Sequence, residues 1–139
     1  SEAAFIRHSI ENRRKQLAEC QWLRRRIDSH LEQGDSLIVL GDFNAGPDSA
    51  EVAQLRPGGM LHDAAAVSAT PATGPRGSFN SFALQAKDDT RIDHIFVSAP
   101  WAVRHFAVLA QHDGARVPSD HFAVAALLGW GGGADVACE

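Results

Sequence analysis

The chain has 139 residues and a formal net charge of −4, with 45% hydrophobic and 22% charged residues. Its length suits one ordinary domain with one core, and its composition is that of a globular protein rather than a disordered or fibrous one. The acidic balance argues against a protein built around a broad basic surface for nucleic acid. No apolar run is long enough to cross a bilayer, and the spacing of Cys20 and Cys138 predicts two reduced thiols rather than a metal or redox motif.

The first predicted element is a helix over residues 6–31. Apolar side chains recur there at three- and four-residue spacing and form one stripe, made of Leu17, Cys20, Leu23, Ile27 and Leu31. Basic residues crowd the other faces, and we interpret them as a solvated surface rather than as contacts to a phosphate backbone. Gly34 suits the left-handed position that follows the end of such a helix.

A strand and a short helix are predicted next. Residues 36–40 form an apolar run that is too short for a helix, so we expect a buried strand. After a loop, residues 48–51 have the form of a capping box that begins a short helix towards Leu55. Residues 60–67 fit either a strand with a loop or a helical turn, and residues 70–77 fit an exposed loop.

The rest of the chain is predicted to be mainly strands. Short alternating or apolar runs indicate four of them, at residues 78–84, 91–98, 103–109 and 121–128. The last run is apolar nearly throughout, as a strand covered on both faces would be. Residues 129–139 are rich in glycine and alanine and are predicted to fray. The chain contains no internal repeat and no linker, so it forms one domain or part of one.

Polar side chains stand where three of these strands meet loops. Asp42 and Asn44 follow the first strand, Asp93 lies within another, and Asp120 and His121 open the last. Enzymes with mixed helices and strands build their sites at such positions. Carboxylates of this kind hold Mg²⁺ or Mn²⁺, and the cation neutralises and orients a phosphate ester that would otherwise repel a nucleophile. The sequence therefore predicts a metal-assisted phosphoesterase.

Each of these residues has a predicted role and an alternative. Asp42 is expected to ligate the cation or position the attacking water, and Asn44 to donate to a phosphate oxygen. The alternative is a turn in which both side chains cap their own backbone. His121 is predicted to act as a general base or as a donor to the phosphate. Asp93 lies among apolar residues and needs a partner, which we expect to be His121, with an ion pair to Arg91 or to another strand as the alternative.

Two further residues are candidate substrate contacts. Asn80 alternates with Phe79 and Phe82, so that it is placed to reach a phosphate while the two rings are expected in the core. His94 should point to the opposite strand face from Asp93, where it either lines the pocket rim or packs. Zinc is disfavoured because no two histidines share a short helical spacing. Loop carboxylates without a role are expected at Asp63, Asp88, Asp89 and Asp113.

In this order and spacing the motifs resemble the C-terminal half of the endonuclease/exonuclease/phosphatase superfamily, of the DNase I and exonuclease III type. The matching segments are residues 37–44, 77–82, 91–97 and 118–122. The resemblance implies an α+β (α/β sandwich) fold in which a central β-sheet is flanked by helices. It also implies Mg²⁺- or Mn²⁺-dependent hydrolysis of a phosphodiester or a phosphomonoester.

The resemblance assigns roles residue by residue. It implies that Asp42 positions or activates water and that Asn44 contacts the phosphate. It implies that Asp120 helps to bind the metal. His121 would contact or protonate the phosphate while Asp93 orients it. The position of His94 is often aromatic in relatives, so the edge facing the substrate is expected to differ here.

The family's earlier half carries an asparagine, a metal-binding glutamate and usually another histidine, and these motifs are not found in the sequence. We therefore expect residues 1–139 to be a partial domain with an incomplete metal site. An N-terminal half or a homo-oligomer would complete the fold. The expected substrate is a phosphate ester of a nucleic acid, a lipid or a small molecule. The alternative is a non-catalytic binding or assembly module that keeps the fold.

Overall fold

A computed structural model describes residues 2–131 of the chain. The N-terminal part contains α1 (Glu2–Glu32), β1 (Ile38–Asp42), α2 (Ala50–Ala53), a 3-10 helix (Pro57–Gly59) and β2 (Leu61–Asp63). The C-terminal part contains β3 (Asp93–Ser98), β4 (Trp101–Leu109) and β5 (Ala123–Trp130). The predicted mixture of helices and strands is thus confirmed, and residues 60–67 contain the strand rather than a helix.

The predicted first helix is confirmed, and its second half carries the packing. Cys20 and Ile27 are buried on the predicted stripe, and Leu23 and Leu31 pack beside them. The helix ends where expected, because Gly34 has a φ of +82° and its backbone N–H donates to Leu31 O at 3.0 Å. Short helix α2 begins one residue later than the predicted capping box, since Ser49 rather than Asp48 accepts the capping hydrogen bond, from Val52 N at 3.2 Å.

The strands form two antiparallel sheets, one with the order β1-β3-β2 and one made of β4 and β5. β3 is the central strand of the first sheet, and its side chains alternate between two cores. Phe96 packs towards α1 and α2, whereas Ile95 and Val97 pack towards β4 and β5. The result is three layers, with helices on one side of the first sheet and the second sheet on the other.

The expectation that the first strand is buried was wrong for one of its faces. Val39 packs under the helices, but Ile38 is 40% exposed and Leu40 is 68% exposed. Ile38 lies opposite Val97 and Leu40 lies opposite Ile95. Both are therefore on the face of the first sheet that packs against β4 and β5 at the central strand β3. β1 is an edge strand, and the second sheet does not reach it. β5 likewise leaves Leu127 60% exposed, so it is not covered on both faces as predicted.

The strand predicted over residues 78–84 is also absent from the described chain. Ser81 and Phe82 adopt left-handed backbone conformations, with φ of 53° and 62°, and the Asn80 side chain accepts from Phe82 N at 2.7 Å. The segment is therefore a tight turn in which Phe82 is 68% exposed rather than in the core. β5 continues two residues past its predicted end, and the predicted frayed tail from residue 132 onwards, with Cys138, lies outside the described residues.

Candidate functional site

The register of β1 and β3 brings the first two motifs together. Asp42 is the last residue of β1 and lies directly opposite Asp93, the first residue of β3. The pairing continues for one more hydrogen bond, from Phe43 N to Ile92 O at 2.9 Å, before the two segments separate into loops. Two carboxylates therefore stand side by side at one end of the first sheet.

Asp42 and Asn44 form a compact turn at this end of the sheet. Asn44 has a φ of 51°, its backbone N–H donates to Asp42 Oδ1 at 2.8 Å, and its Nδ2 donates to Asp42 Oδ2 at 3.2 Å. The self-capping alternative is thus present in the structure. The Asp42 side chain remains 37% exposed, so one edge of the carboxylate still faces solvent.

His121 and Asp93 form the close pair that the sequence predicted. His121 Nδ1 and Asp93 Oδ2 are 2.8 Å apart, and because a carboxylate can only accept, Nδ1 carries the proton and donates. The opposite ring nitrogen, Nε2, lies 3.9 Å from Asp42 Oδ2. The edge of the His121 ring contacts Phe79, with ring centroids 5.1 Å apart. The alternative ion pair of Asp93 with Arg91 is not formed, since the Arg91 guanidinium binds Asp63 at 2.6 Å.

The surroundings of His121 favour its protonated form. The hydrogen bond to Asp93 is the largest influence and raises the pKa of His121 above its ordinary value. Partial desolvation opposes this, while the negative charges of Asp93, Asp42 and Asp120 add to it. A histidine held in this way can accept and return a proton near neutral pH.

Asp42, Asp93 and His121 also form one group of possible metal ligands. Each offers a ligand atom, and these atoms all lie within 4.8 Å of one another. The donor set fits a hard divalent cation in its two carboxylates, which are the ligands that Mg²⁺ and Mn²⁺ prefer. The side chain of Asp42 is 37% exposed against 15% for Asp93, so Asp42 is the more accessible of the two carboxylates.

Asp120 lies next to this group but is not one of its three members. Its side chain is half-buried, and Oδ1 lies 3.4 Å from Ser119 Oγ. Its backbone carbonyl accepts hydrogen bonds from Asn80 N at 2.8 Å and Ser81 N at 3.0 Å. The structure therefore fastens the turn at residues 80–82 to the segment that carries Asp120 and His121.

Asn80 supports this turn from the inside. It is completely buried, its Oδ1 is used by Phe82 N, and within the described chain its Nδ2 is buried without a hydrogen-bond partner. As placed, the Asn80 side chain shapes the protein beside Asp120 and has no surface to offer to a substrate. The substrate contact predicted from its sequence position stays a prediction, and it would require the buried side chain to become accessible.

His94 is likewise in the interior, which was the packed alternative to a pocket-rim position. It is 0% exposed. Its ring stacks on that of Phe96, with centroids 5.4 Å apart, and packs edge to face with that of Phe43, with centroids 5.7 Å apart. Its Nδ1 lies 2.7 Å from Arg91 Nη1 and its Nε2 lies 2.8 Å from Ala45 O. In this structure the His94 ring has no exposed surface that could contact a substrate.

Two residues that the sequence analysis did not place at the site are Asp63 and Arg91. Asp63 was expected in a loop, but it ends β2, is 3% exposed and binds Arg91. Burial alone would raise the pKa of Asp63, but the contact with His94, whose Nδ1 lies 3.7 Å from Asp63 Oδ2, and the hydrogen bond and charge of Arg91 lower it to about 2. The alternation of Leu61, His62 and Asp63 was the available signal, because it puts Asp63 on the inward face with Leu61.

The layered α+β fold and the two-carboxylate, one-histidine site define a DNase I-like class of protein. The profile of the Endonuclease/Exonuclease/phosphatase family matches residues 5–121, and the chain belongs to this family. No curated protein matches the chain. Among residues 2–131, no helix has the length and apolar character required to span a membrane.

Solved structures of the same fold include a mannosyl-6-phosphatase, Bt3783, from Bacteroides thetaiotaomicron. It is 26% identical, with a TM-score of 0.75 over 83% of this chain and 46% of that one. An endonuclease/exonuclease/phosphatase family protein from the same organism is 29% identical, with a TM-score of 0.70 over 81% of this chain and 43% of that one. A functionally unknown conserved protein from Enterococcus faecalis V583 is 26% identical, with a TM-score of 0.72 over 83% of this chain and 44% of that one. The chain thus spans a little under half the length of these relatives.

Proposed function

We propose that this chain carries the C-terminal half of the active site of a Mg²⁺- or Mn²⁺-dependent phosphoesterase. The observation that carries the proposal is the arrangement of Asp93, His121 and Asp42 within a member of this family. A protonatable ring is oriented by one carboxylate and faces a second carboxylate that remains open to solvent. This combination provides a proton-transfer group beside a cation ligand, which is what hydrolysis of a phosphate ester requires.

Each residue has a defined part in this proposal. Asp42 and Asp120 would hold the divalent cation, which when bound neutralises the phosphate charge and orients the ester. Asn44 would turn its amide from Asp42 to a phosphate oxygen, as an oxyanion donor does. His121 would use Nε2 to donate to the phosphate or exchange a proton, because Nδ1 is already engaged by Asp93. Asn80 and His94 would support these groups without touching the substrate.

We propose a small phosphomonoester as the substrate. Bt3783, which shares 26% of its residues over 83% of this chain, is described as a mannosyl-6-phosphatase. The net charge of −4 also disfavours a long polyanion such as duplex DNA, whose binding depends on many basic contacts. A phosphodiester of nucleic acid or lipid is the competing substrate class.

The partner that completes the site would be an N-terminal half of the domain. Two facts support this: the relatives are more than twice as long as the matched part, and Leu40 on the uncovered edge strand β1 and Leu127 on β5 are both exposed. Covering exposed apolar side chains of this kind with another protein layer removes them from water and lowers the free energy. A second copy of the chain is the alternative occupant.

The test is metal-dependent hydrolysis by the chain, with and without a polypeptide that supplies the family's N-terminal half. Mannose 6-phosphate and p-nitrophenyl phosphate represent monoesters, and bis(p-nitrophenyl) phosphate represents diesters. We expect monoester hydrolysis that requires Mg²⁺ or Mn²⁺, is abolished by EDTA and is lost in Asp42→Asn. Asp48→Asn, in an exposed position of the same loop, serves as the matched control and should retain activity.

A non-catalytic binding module is the second candidate, and one observation favours it. Both oxygens of Asp42 already accept hydrogen bonds from Asn44, so the turn is self-sufficient without a ligand. Tight Mn²⁺ binding in calorimetry with no hydrolysis of any ester, even in the completed domain, would support this module and overturn the phosphoesterase.

A further inference from the structure

A buried polar network lies behind the candidate site, and none of its members contacts the cation or the substrate in the function proposed above. It consists of Asp63 on β2, Arg91 just before β3, and His94 on β3. Arg91 Nη2 donates to Asp63 Oδ2 at 2.6 Å, and Arg91 Nη1 lies 2.7 Å from His94 Nδ1. The three residues are 3%, 8% and 0% exposed. Burying so many polar groups is costly unless all are matched, and here they are matched to one another.

The donors and acceptors of this network have a single consistent arrangement. A guanidinium can only donate, so His94 Nδ1 must accept from Arg91. The proton of the neutral ring then resides on Nε2, which donates to Ala45 O at 2.8 Å. Arg91 Nη1 also donates to the backbone carbonyl of Asp93 at 3.0 Å. The donor and the acceptor of each hydrogen bond are thus fixed throughout the network, from Asp63 on β2 to Ala45 in the loop after β1.

The two ends of the network are next to the two halves of the site. Ala45 follows Asn44 in the loop after β1, and the Asp93 carbonyl belongs to the residue that orients His121. Apart from the pairing of β1 with β3, this network is a direct tie between the loop of Asn44 and the strand of Asp93. Asp63 anchors it to the third strand of the sheet.

We propose that Asp63, Arg91 and His94 are positioning residues that hold the Asn44 loop at a fixed distance from the Asp93–His121 pair. The inference rests on the proposed function for its catalytic consequence, but the position of the loop is a property of the chain itself. Small displacements of a phosphate-binding group lower turnover strongly, because a misplacement of about 1 Å costs on the order of 10²-fold in rate.

Packing and hydrogen bonding of His94 can be separated by substitution. The ring contacts both Phe43 and Phe96, so His94→Phe keeps an aromatic ring in the same space and removes both hydrogen bonds. His94→Gln carries an amide N–H that reaches the place of Nε2 and can again donate to Ala45 O. His94→Asn is shorter and reaches only the Arg91 side. The three variants form a matched series.

The first measurement is NMR spectroscopy on the unaltered chain. Nitrogen shifts and couplings of the His94 ring should show the proton on Nε2, and a proton on Nδ1 would overturn the proposed direction of the network. The second is the backbone amide spectrum of the variants. His94→Phe and His94→Asn should shift the Asn44 and Ala45 signals more than signals of equally distant residues, and His94→Gln should return them towards their original positions.

Kinetics then test the consequence in the domain that hydrolyses its ester. His94→Phe should lower kcat about tenfold to a hundredfold with KM little changed, and His94→Gln should recover most of it. A uniform loss of thermal stability without local shifts at Asn44 and without rescue by glutamine would reduce the network to an ordinary core element and overturn the proposal. If the unaltered domain hydrolyses nothing, the proposed function fails, while the NMR series still decides whether His94 positions the loop.

Discussion

Asp42 and Asp93 lie directly opposite each other in the antiparallel pair formed by β1 and β3. Two like charges in this relation destabilise a sheet, so the position requires a compensating positive charge. His121 provides part of it, with Nδ1 at 2.8 Å from Asp93 and Nε2 at 3.9 Å from Asp42. A divalent cation would provide the rest. In the proposed function, this unfavourable pairing would serve as the scaffold of a site for a cation and an anionic ester.

The first prediction concerns the charge state of His121. Because the hydrogen bond to Asp93 raises the pKa of this ring, Asp93→Asn should lower that pKa. A raised folded-state pKa means that protonation of His121 stabilises the fold below the ordinary pKa, and that this gain fades as the pH rises through the raised value. Asp93→Asn should remove the gain. NMR titration measures the pKa of the His121 ring in the unaltered chain and in Asp93→Asn, with Asp113→Asn as the control. An unchanged titration curve in Asp93→Asn would contradict the pairing.

The second prediction concerns the rate. His121→Ala should lower hydrolysis on the order of 10²-fold or more, because it removes the group that exchanges a proton with the phosphate or its water. Added imidazole should restore part of the rate. His62→Ala, which removes an exposed histidine from the middle of β2, should leave the rate unchanged. Equal losses in both variants would remove His121 from the mechanism.

The third prediction concerns stability at acid pH. The pKa of Asp63 is about 2 in the folded protein against an ordinary value of 3.8, a difference equivalent to about 2 kcal/mol of stability. A lowered pKa means that this contribution is complete above the ordinary value and is lost as the pH falls from about 4 towards 2.

Asp63→Asn tests the same pair by substitution. It leaves Arg91 buried without its anionic partner, and breaking a buried ion pair in this way costs roughly 3–5 kcal/mol. Urea unfolding at pH 7 and at pH 3 measures both effects. The difference between wild type and variant should shrink at the lower pH, whereas Asp89→Asn, at an exposed position, should change neither curve. A constant difference across this pH range would show that the Asp63 charge is not involved.

The sequence predicted the pairing of Asp93 with His121 better than it predicted the packing around the site. The pair of Asp93 and His121 was predictable because a carboxylate among apolar strand residues needs a partner, and an imidazole is a natural one. The inward position of Asp63 was missed because a three-residue strand gives little periodicity. The turn after Asn80 was missed because two consecutive left-handed residues without glycine are uncommon. Here they are stabilised by the hydrogen bonds that Phe82 N donates to Asn80 Oδ1 and that Ser81 N donates to the Asp120 carbonyl.

The exposure of β1 has a different physical origin, and it leads to the last prediction. An apolar run predicts cover on both faces, but the second sheet reaches only β3, so Leu40 remains 68% exposed. Leu40→Ser should therefore change the free energy of unfolding by no more than about 0.5 kcal/mol. By contrast Phe96→Ala, which empties a fully buried position on β3, should cost roughly 3–5 kcal/mol.

If another protein layer covers β1, the same Leu40→Ser should weaken association with the N-terminal half in sedimentation velocity. Leu84→Ser, at a 42% exposed position on the loop after Asn80, is the matched control and should leave that association intact. Unchanged association of Leu40→Ser would mean that the partner covers a different surface.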